Sequence, residues 1–288
     1  MLSTPASASI PLLFAGFLFY NKHIADFTCV DKVPITIEEL IPGFPAKVIP
    51  IILLWSAQMN RKLYSLCGED GIRHYSPHVW KIIMALNHKG LDYDLIPVSF
   101  ADIPNVEDGS FSSVPVLRDG NTVLGESFDI ARYLDETYAD APALFDGKGA
   151  VALTRFVESY CKTVLHPSLA TIAVMDMHNL MSPDDQVYFR SARERRFGMP
   201  LETMAEGGED ERARLPEKLA PVRDLLATQD WLSGAMPAYA DFTLFGTLQW
   251  CNVCTPNTLF ENDDIVFNWF ERCLDLYDGV GRNSAQSG

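Results

Sequence analysis

The sequence predicts a chain in two structural parts, an α/β unit followed by an all-helical one. Three observations carry this. Short alternating segments at Arg61–Leu66 and Leu91–Val98 flank one amphipathic helical stretch. A Val-Pro-Val strand then turns at Asp119-Gly120 into a second strand and a helix. From Leu144 onward the pattern is helical throughout. Alternation at period two marks half-buried strands, and apolar residues three to four apart mark a helix face.

Taken in order, Arg61-Lys-Leu-Tyr-Ser-Leu66 reads as the first strand. His74 to Gly90 follows as a helix, with Ser76 as its cap, Pro77 at the first helical position and Gly90 as the stop. Leu91 to Val98 returns as a strand. In Phe111-Ser-Ser-Val-Pro-Val-Leu-Arg-Asp-Gly-Asn-Thr-Val-Leu-Gly-Glu-Ser127, Pro115 belongs at a strand head or edge, because it has no N–H for a ladder. Asp119, Gly120 and Asn121 supply hairpin chemistry. Ser127 falls where an N-cap belongs, and Ile130, Ala131 and Leu134 line one helix face. Downstream, Ala150–His178 is a long helical stretch in which His166-Pro167 predicts a kink or break. Pro183–Phe197 and Arg212–Thr228 follow, the latter weakened at its start by Pro216 and Pro221. Asp241 reads as a structural cap residue, with Ala238 where a capping hydroxyl would stand.

The β-α-β-hairpin-helix order resembles a thioredoxin-like domain, and its motifs resemble the glutathione-binding half of the glutathione S-transferases. The implied fold is a thioredoxin-like α/β N-terminal domain over 61–140 and an all-α C-terminal domain over 144–282. Residues 1–60 form an unassigned extension. In that family the residue before a cis-proline pairs by backbone with the cysteinyl part of glutathione, and a Glu/Gln-Ser pair holds the γ-glutamyl end. The resemblance assigns these roles to Val114 before Pro115, and to Glu126-Ser127. It also implies a homodimer, a small hydrophobic electrophilic second substrate and a cytoplasmic location. The wording Ser-Pro-His-Val-Trp-Lys, with Ala-Leu-Asn-His-Lys-Gly, Phe128–Tyr138 and Asp275–Arg282, is most similar to the β-etherase and fungal etherase-like branch.

Ser76 stands where thioredoxin-like proteins carry their reactive group. A free thiol has a pKa of about 8.5, so little is thiolate at neutral pH. A hydroxyl donor and the partial positive charge of a helix N-terminus both favour the anion. Together they supply roughly one to two units of pKa depression, each unit about 1.4 kcal/mol. No metal or protein nucleophile is needed, so glutathione is expected as co-substrate and no metal. Cys67, after the first strand, is a secondary candidate. His78 and Lys81 are candidates for the glycine carboxylate of glutathione. Tyr160, His166, Met175 and Trp250 read first as core packing and second as lining of the second pocket. Arg193, Arg195 and Arg196 read first as a solvated basic face and second as a grip for a ligand carboxylate.

A net charge of −15 disfavours nucleic acid and anionic membrane surfaces, which call for basic patches. The six cysteines are too sparse for a disulfide scaffold. Cys251-Asn-Val-Cys254 has a redox spacing but sits in an apolar helical stretch, which argues against redox or zinc work. Within the extension, Ile10–Tyr20 and Val48–Trp55 are apolar runs interrupted by proline. The first is too short to span a bilayer and lacks a preceding positive charge. A docked accessory segment, or a stretch absent from the mature protein, ranks ahead of a membrane anchor. Two function classes follow: a transferase that activates glutathione against an electrophile or aryl ether, and a non-catalytic binder of glutathione conjugates with the same fold.

Overall fold

The structure is a computed structural model and describes residues 61–255, 259–260 and 263–283. The extension expected over 1–60, with its two apolar runs and Cys29, lies outside the described residues. The α/β part opens with β1 (Lys62–Leu66), α1 (Pro77–His88) and β2 (Asp94–Val98). β1 and β2 pair in parallel, Leu63 opposite Leu95, which requires the α1 crossover between them. After a short 3₁₀ turn come β3 (Val116–Asp119) and β4 (Thr122–Gly125), and the sheet order is β2-β1-β3-β4. β3 runs antiparallel to both neighbours. Gly120, at φ 59°, is the first of two loop residues between Asp119 and Thr122, the glycine position of a tight hairpin turn. Pro115 stands just ahead of β3, so an interior strand loses no ladder N–H. α2 (Ser127–Thr137) closes this part.

The helical part begins with α3 (Gly147–Tyr160) and α4 (His166–Asn179), joined without a break by a π-helical turn at Cys161–Leu165. His166 N–H reaches back to the Cys161 carbonyl. The widened turn accommodates Pro167 just inside α4, where an α-helical proline would clash with the preceding turn. The expected interruption at His166-Pro167 is thus a π bulge in a continuous rod. Then follow α5 (Pro183–Phe197), capped by Ser182 and stopped by Gly198 at φ 71°, α6 (Leu201–Glu206), α7 (Gly208–Lys218), α8 (Ala220–Leu226), α9 (Tyr239–Cys254) and α10 (Ile265–Asn283). The backbone of α10 leaves helical geometry at Leu276–Gly279. Among the described residues no helix is long and apolar enough to cross a membrane.

α9 is buried along nearly its whole length, as expected of a helix that is apolar all round. Its most extensive packing is against α1. Gly246 makes the contact possible: a Cβ there would lie 2.5 Å from the Pro77 carbonyl oxygen and 3.1 Å from the Lys81 nitrogen. At its start, Asp241 is fully buried and accepts from Leu232 N (2.7 Å), Ser233 N (3.0 Å), Ala238 N (3.2 Å) and Trp269 Nε1 (3.0 Å). Burial pushes this carboxyl up, and the four N–H donors hold it as the carboxylate. The single capping contact expected of Asp241 is therefore part of a larger staple between three segments.

Gly246→Val is expected to lower stability by about 1–3 kcal/mol, because backbone rather than a flexible side chain must give way. Equilibrium denaturant unfolding measures this. An unchanged midpoint would mean that α9 and α1 are not held at this separation.

Candidate functional site

One cavity of about 850 Å³ lies between the α/β part and the helices α3, α4 and α5. Its size is in the range of pockets that enclose a small ligand. Ser76, Val114, Glu126 and Ser127 all line it, although they come from three separate stretches of chain. His78 and Lys81 line it as well.

Ser76 is buried at the start of α1 with extended backbone, and its Oγ accepts from Val79 N at 3.4 Å. That long bond uses the oxygen as acceptor and leaves the hydroxyl proton to donate. Val114 precedes a cis peptide bond to Pro115 and lies outside both strand ladders, which begin at Val116. Glu126 rather than Ser127 occupies the cap position of α2, a correction to the sequence reading. Glu126 has φ 60° and ψ 111°, a conformation a side chain rarely adopts, and it makes no side-chain capping bond. Ser127 is the first helical residue, so its N–H and that of Phe128 have no intrahelical acceptor. Tyr239, buried at the head of α9, donates its hydroxyl to the Ser127 carbonyl at 2.8 Å. α9 therefore touches both helix starts that face the cavity.

The other candidates divide. Lys81 is buried, with Nζ 3.2 Å from Glu158 Oε1 and 3.2 Å from His78 Nδ1. Its charge is already matched by a carboxylate, which argues against a free grip on a ligand. Burial and Lys81 push His78 down to about 3. His166 is pushed down to about 4 by burial first, then by Lys81 and Arg196. Its Nε2 lies 3.1 Å from Thr247 Oγ1, whose own hydroxyl donates to the Thr243 carbonyl. Nε2 therefore carries the proton. Cys67 lines a separate cavity of about 170 Å³, and burial pushes its thiol up to about 11. Pro115 does not line the main cavity.

His166 and Trp250 line the cavity, but Tyr160 and Met175 do not. Tyr160 instead donates its hydroxyl to the Lys218 carbonyl. Arg193 and Arg196 line the cavity with Tyr188, Phe189 and Phe197; Arg193 is half-buried, whereas Arg195 and Arg196 are exposed, as a solvated face requires. The sequence alone offers no role for Asp129 and Arg155, which line the cavity 3.8 Å apart. Arg155 stacks 3.4 Å above the Phe128 ring. Its i,i+3 spacing to Glu158 was the available signal. Cys161, Cys251, Cys254 and Cys273 are buried free thiols, and no metal-binding group of three or more side chains occurs among the described residues.

A helix-start serine facing a second helix start across a cleft, on a thioredoxin-like fold with a helical partner domain, defines a glutathione-transferase-type protein. Family comparison agrees. Residues 72–142 match the glutathione S-transferase N-terminal domain and residues 152–273 match its C-terminal domain. The chain belongs to the glutathione S-transferase family. Among solved structures it is similar to a glutathione S-transferase of Ceriporiopsis subvermispora in complex with glutathione. That match has 27% identity and a TM-score of 0.65, covering 76% of this chain and 96% of that one. A glutathione transferase of Phanerochaete chrysosporium matches at 27% identity and a TM-score of 0.61, covering 76% and 92%. Glutathione S-transferase Z1 of Arabidopsis thaliana is 38% identical over 88 residues, which span 27% of this chain and 39% of that protein. The glutathione S-transferase-like protein ustS of Aspergillus flavus is 25% identical over 62% of this chain and 74% of its own.

The buried neutral imidazoles give a pH signature. Unfolding releases His166 to a pKa near its ordinary 6.5, so between about 4 and 6.5 the unfolded chain binds more protons and stability falls with falling pH. His166→Gln should flatten that part of the stability–pH curve, measured as Tm against pH. A slope identical to wild type would mean that His166 is charged in the folded protein.

Proposed function

We propose that this protein activates the thiol of glutathione and directs it at a hydrophobic electrophile or aryl ether, as a member of the etherase-like branch. The observation that carries this reading is the convergence of Ser76, Val114 and the Glu126–Ser127 helix start on one cavity whose far wall carries aromatic and apolar side chains beside Arg193 and Arg196. The fit can be judged residue by residue. The first turn of α2 offers free N–H groups to the γ-glutamyl carboxylate. Glu126 and Asp129 supply negative charge for the ammonium. Val114 offers backbone groups that no strand uses. Glutathione supplies the nucleophilic sulfur when bound. Ser76 then acts as the donor that favours the thiolate, helped by the N-terminal dipole of α1. Lys81 is held by Glu158, and His78 and His166 are uncharged, so none of these competes as a charged acid.

The similarity to the Ceriporiopsis subvermispora protein, described as a complex with glutathione, supports glutathione as the ligand. The homodimer implied by family membership belongs to the same reading. Leu153 and Phe156, exposed three residues apart on α3, offer apolar surface for it.

Glutathione consumption across aryl ethers, aryl halides and thiol exchangers tests the reading. Ser76→Ala should lose roughly one to two orders of magnitude in turnover near neutral pH, the scale of one charge-assisted hydrogen bond. Higher pH should partly restore it. A wild-type rate with an unshifted pH profile would leave Ser76 as a helix cap only. Tight conjugate binding without any turnover would make the protein a ligand carrier.

Ser127→Ala should raise KM for glutathione with little change in kcat, the pattern of lost uniform binding. An unchanged KM would put the γ-glutamyl site elsewhere.

A further inference from the structure

We infer that the helical wall of the cavity selects a second substrate with a carboxylate on an aromatic or alkyl body, and that Arg193 and Arg196 are its specificity-determining contacts. This rests on the transferase reading above and names the substrate class for that site.

The inference starts from the face that α5 turns inward. Phe189, Arg193 and Phe197 recur at four-residue spacing, and Tyr188, Ala192 and Arg196 form the adjacent row. All six line the cavity. Two guanidinium groups thus lie beside rings, Arg193 half-buried and Arg196 exposed at the rim. Arg193 lies 5.1 Å from the Phe189 ring centre and Arg196 5.6 Å from that of Phe197. Arg193 is half-buried, and burial together with Arg196 pulls its pKa down. Such a cation is short of a counter-charge.

The rest of the molecule makes that shortage informative. The chain carries 38 acidic and 23 basic residues, so carboxylate partners are plentiful. Many cations elsewhere use them. Arg190, one turn before Arg193, pairs with Glu194 at 2.9 Å and Glu202 at 2.8 Å. At the glutathione end, Lys81 pairs with Glu158 at 3.2 Å, and Arg155 with the same residue at 3.2 Å. Among the described residues, neither Arg193 nor Arg196 has a carboxylate within salt-bridge distance, and nor does Lys162 on the adjoining π turn. Three cations without a carboxylate partner thus line the part of the cavity where the second substrate would sit, beside Phe100, Met177 and the rings of α5. A planar guanidinium next to an aromatic face suits a carboxylate that extends from an apolar body. An anion entering a chain of net charge −15 also needs a local cationic wall to offset the long-range repulsion.

Two probes that differ in one group test the inference: para-(chloromethyl)benzoate and its methyl ester. In both, the glutathione sulfur forms a bond to the benzylic carbon as the carbon–chlorine bond breaks. Chloride leaves and the thiol proton passes to solvent. The expected wild-type kcat/KM favours the acid by about tenfold or more, expressed in KM, the scale of one charge-assisted contact. In the double variant Arg193→Met, Arg196→Met, the acid-to-ester ratio should fall toward one. The ratio cancels any general loss of folded protein. A wild-type ratio at or below one, or a ratio that survives the double variant, overturns the inference. So does a selective rise in KM for glutathione, which would assign the two arginines to glutathione itself. If neither probe turns over, the transferase reading fails separately. Calorimetric binding of S-(para-carboxybenzyl)glutathione against its methyl ester then reads the same preference without turnover, and equal affinities would overturn it.

Discussion

The close approach of α9 to α1 is the constraint on which the rest of the structure depends. Without a Cβ at Gly246, the central helix settles directly on the Pro77 carbonyl, and so on the turn that carries Ser76. Two turns earlier the same helix sends the Tyr239 hydroxyl to the Ser127 carbonyl. One buried rod thereby sets the spacing of both helix starts that face the cavity. Asp241 fixes the rod in turn, because its carboxylate collects N–H donors from the preceding loop, the helix start and Trp269 of α10. Packing far from any ligand therefore controls the placement of groups that must act within hydrogen-bond reach of one.

Electrostatics divides the cavity into two ends. Around the starts of α1 and α2, charges are matched: Lys81 and Arg155 share Glu158, and Arg155 approaches Asp129. Burial keeps His78 and His166 neutral at physiological pH, so they add polarity without net charge. Ser76 itself is buried, which strengthens the hydroxyl donor that the proposed reading aims at the sulfur. At the α5 end the cations outnumber the carboxylates. The cavity is locally cationic inside a strongly acidic chain, a contrast that net charge alone conceals.

Much of the α/β part was legible in the sequence. Ser76-Pro77 and Gly90 punctuate α1 by rules that depend on neighbouring residues only, and Asp119-Gly120-Asn121 marks its hairpin for the same reason. The Ser76, Val114 and Glu126-Ser127 set could be chosen because each sits at a strand or helix boundary. What failed was whatever depends on which way a helix faces. Pro183–Phe197 is so rich in charge that no apolar stripe reveals its inner side, and the solvated reading of its arginines fits exposed Arg196 but not half-buried Arg193. Residue type alone leaves Tyr160 and Met175 between core and pocket, and they pack against the core, the reading their type favours. At His166-Pro167, local rules foresaw the disturbance and not its form, since a π turn needs the register of the whole rod. The cap of α2 shifted by one residue because Glu126 adopts a backbone conformation that its residue type gives no reason to expect.

The central claim is that the start of α1, through Ser76, favours the thiolate of a bound glutathione. The most direct measurement is a pH titration of the ultraviolet thiolate absorbance of glutathione on the saturated protein, with no second substrate present. The account expects an apparent pKa about one to two units below that of the free thiol, and a return toward the free value when Ser76 is replaced by alanine. A bound thiol that titrates like the free one in the wild-type protein would contradict it.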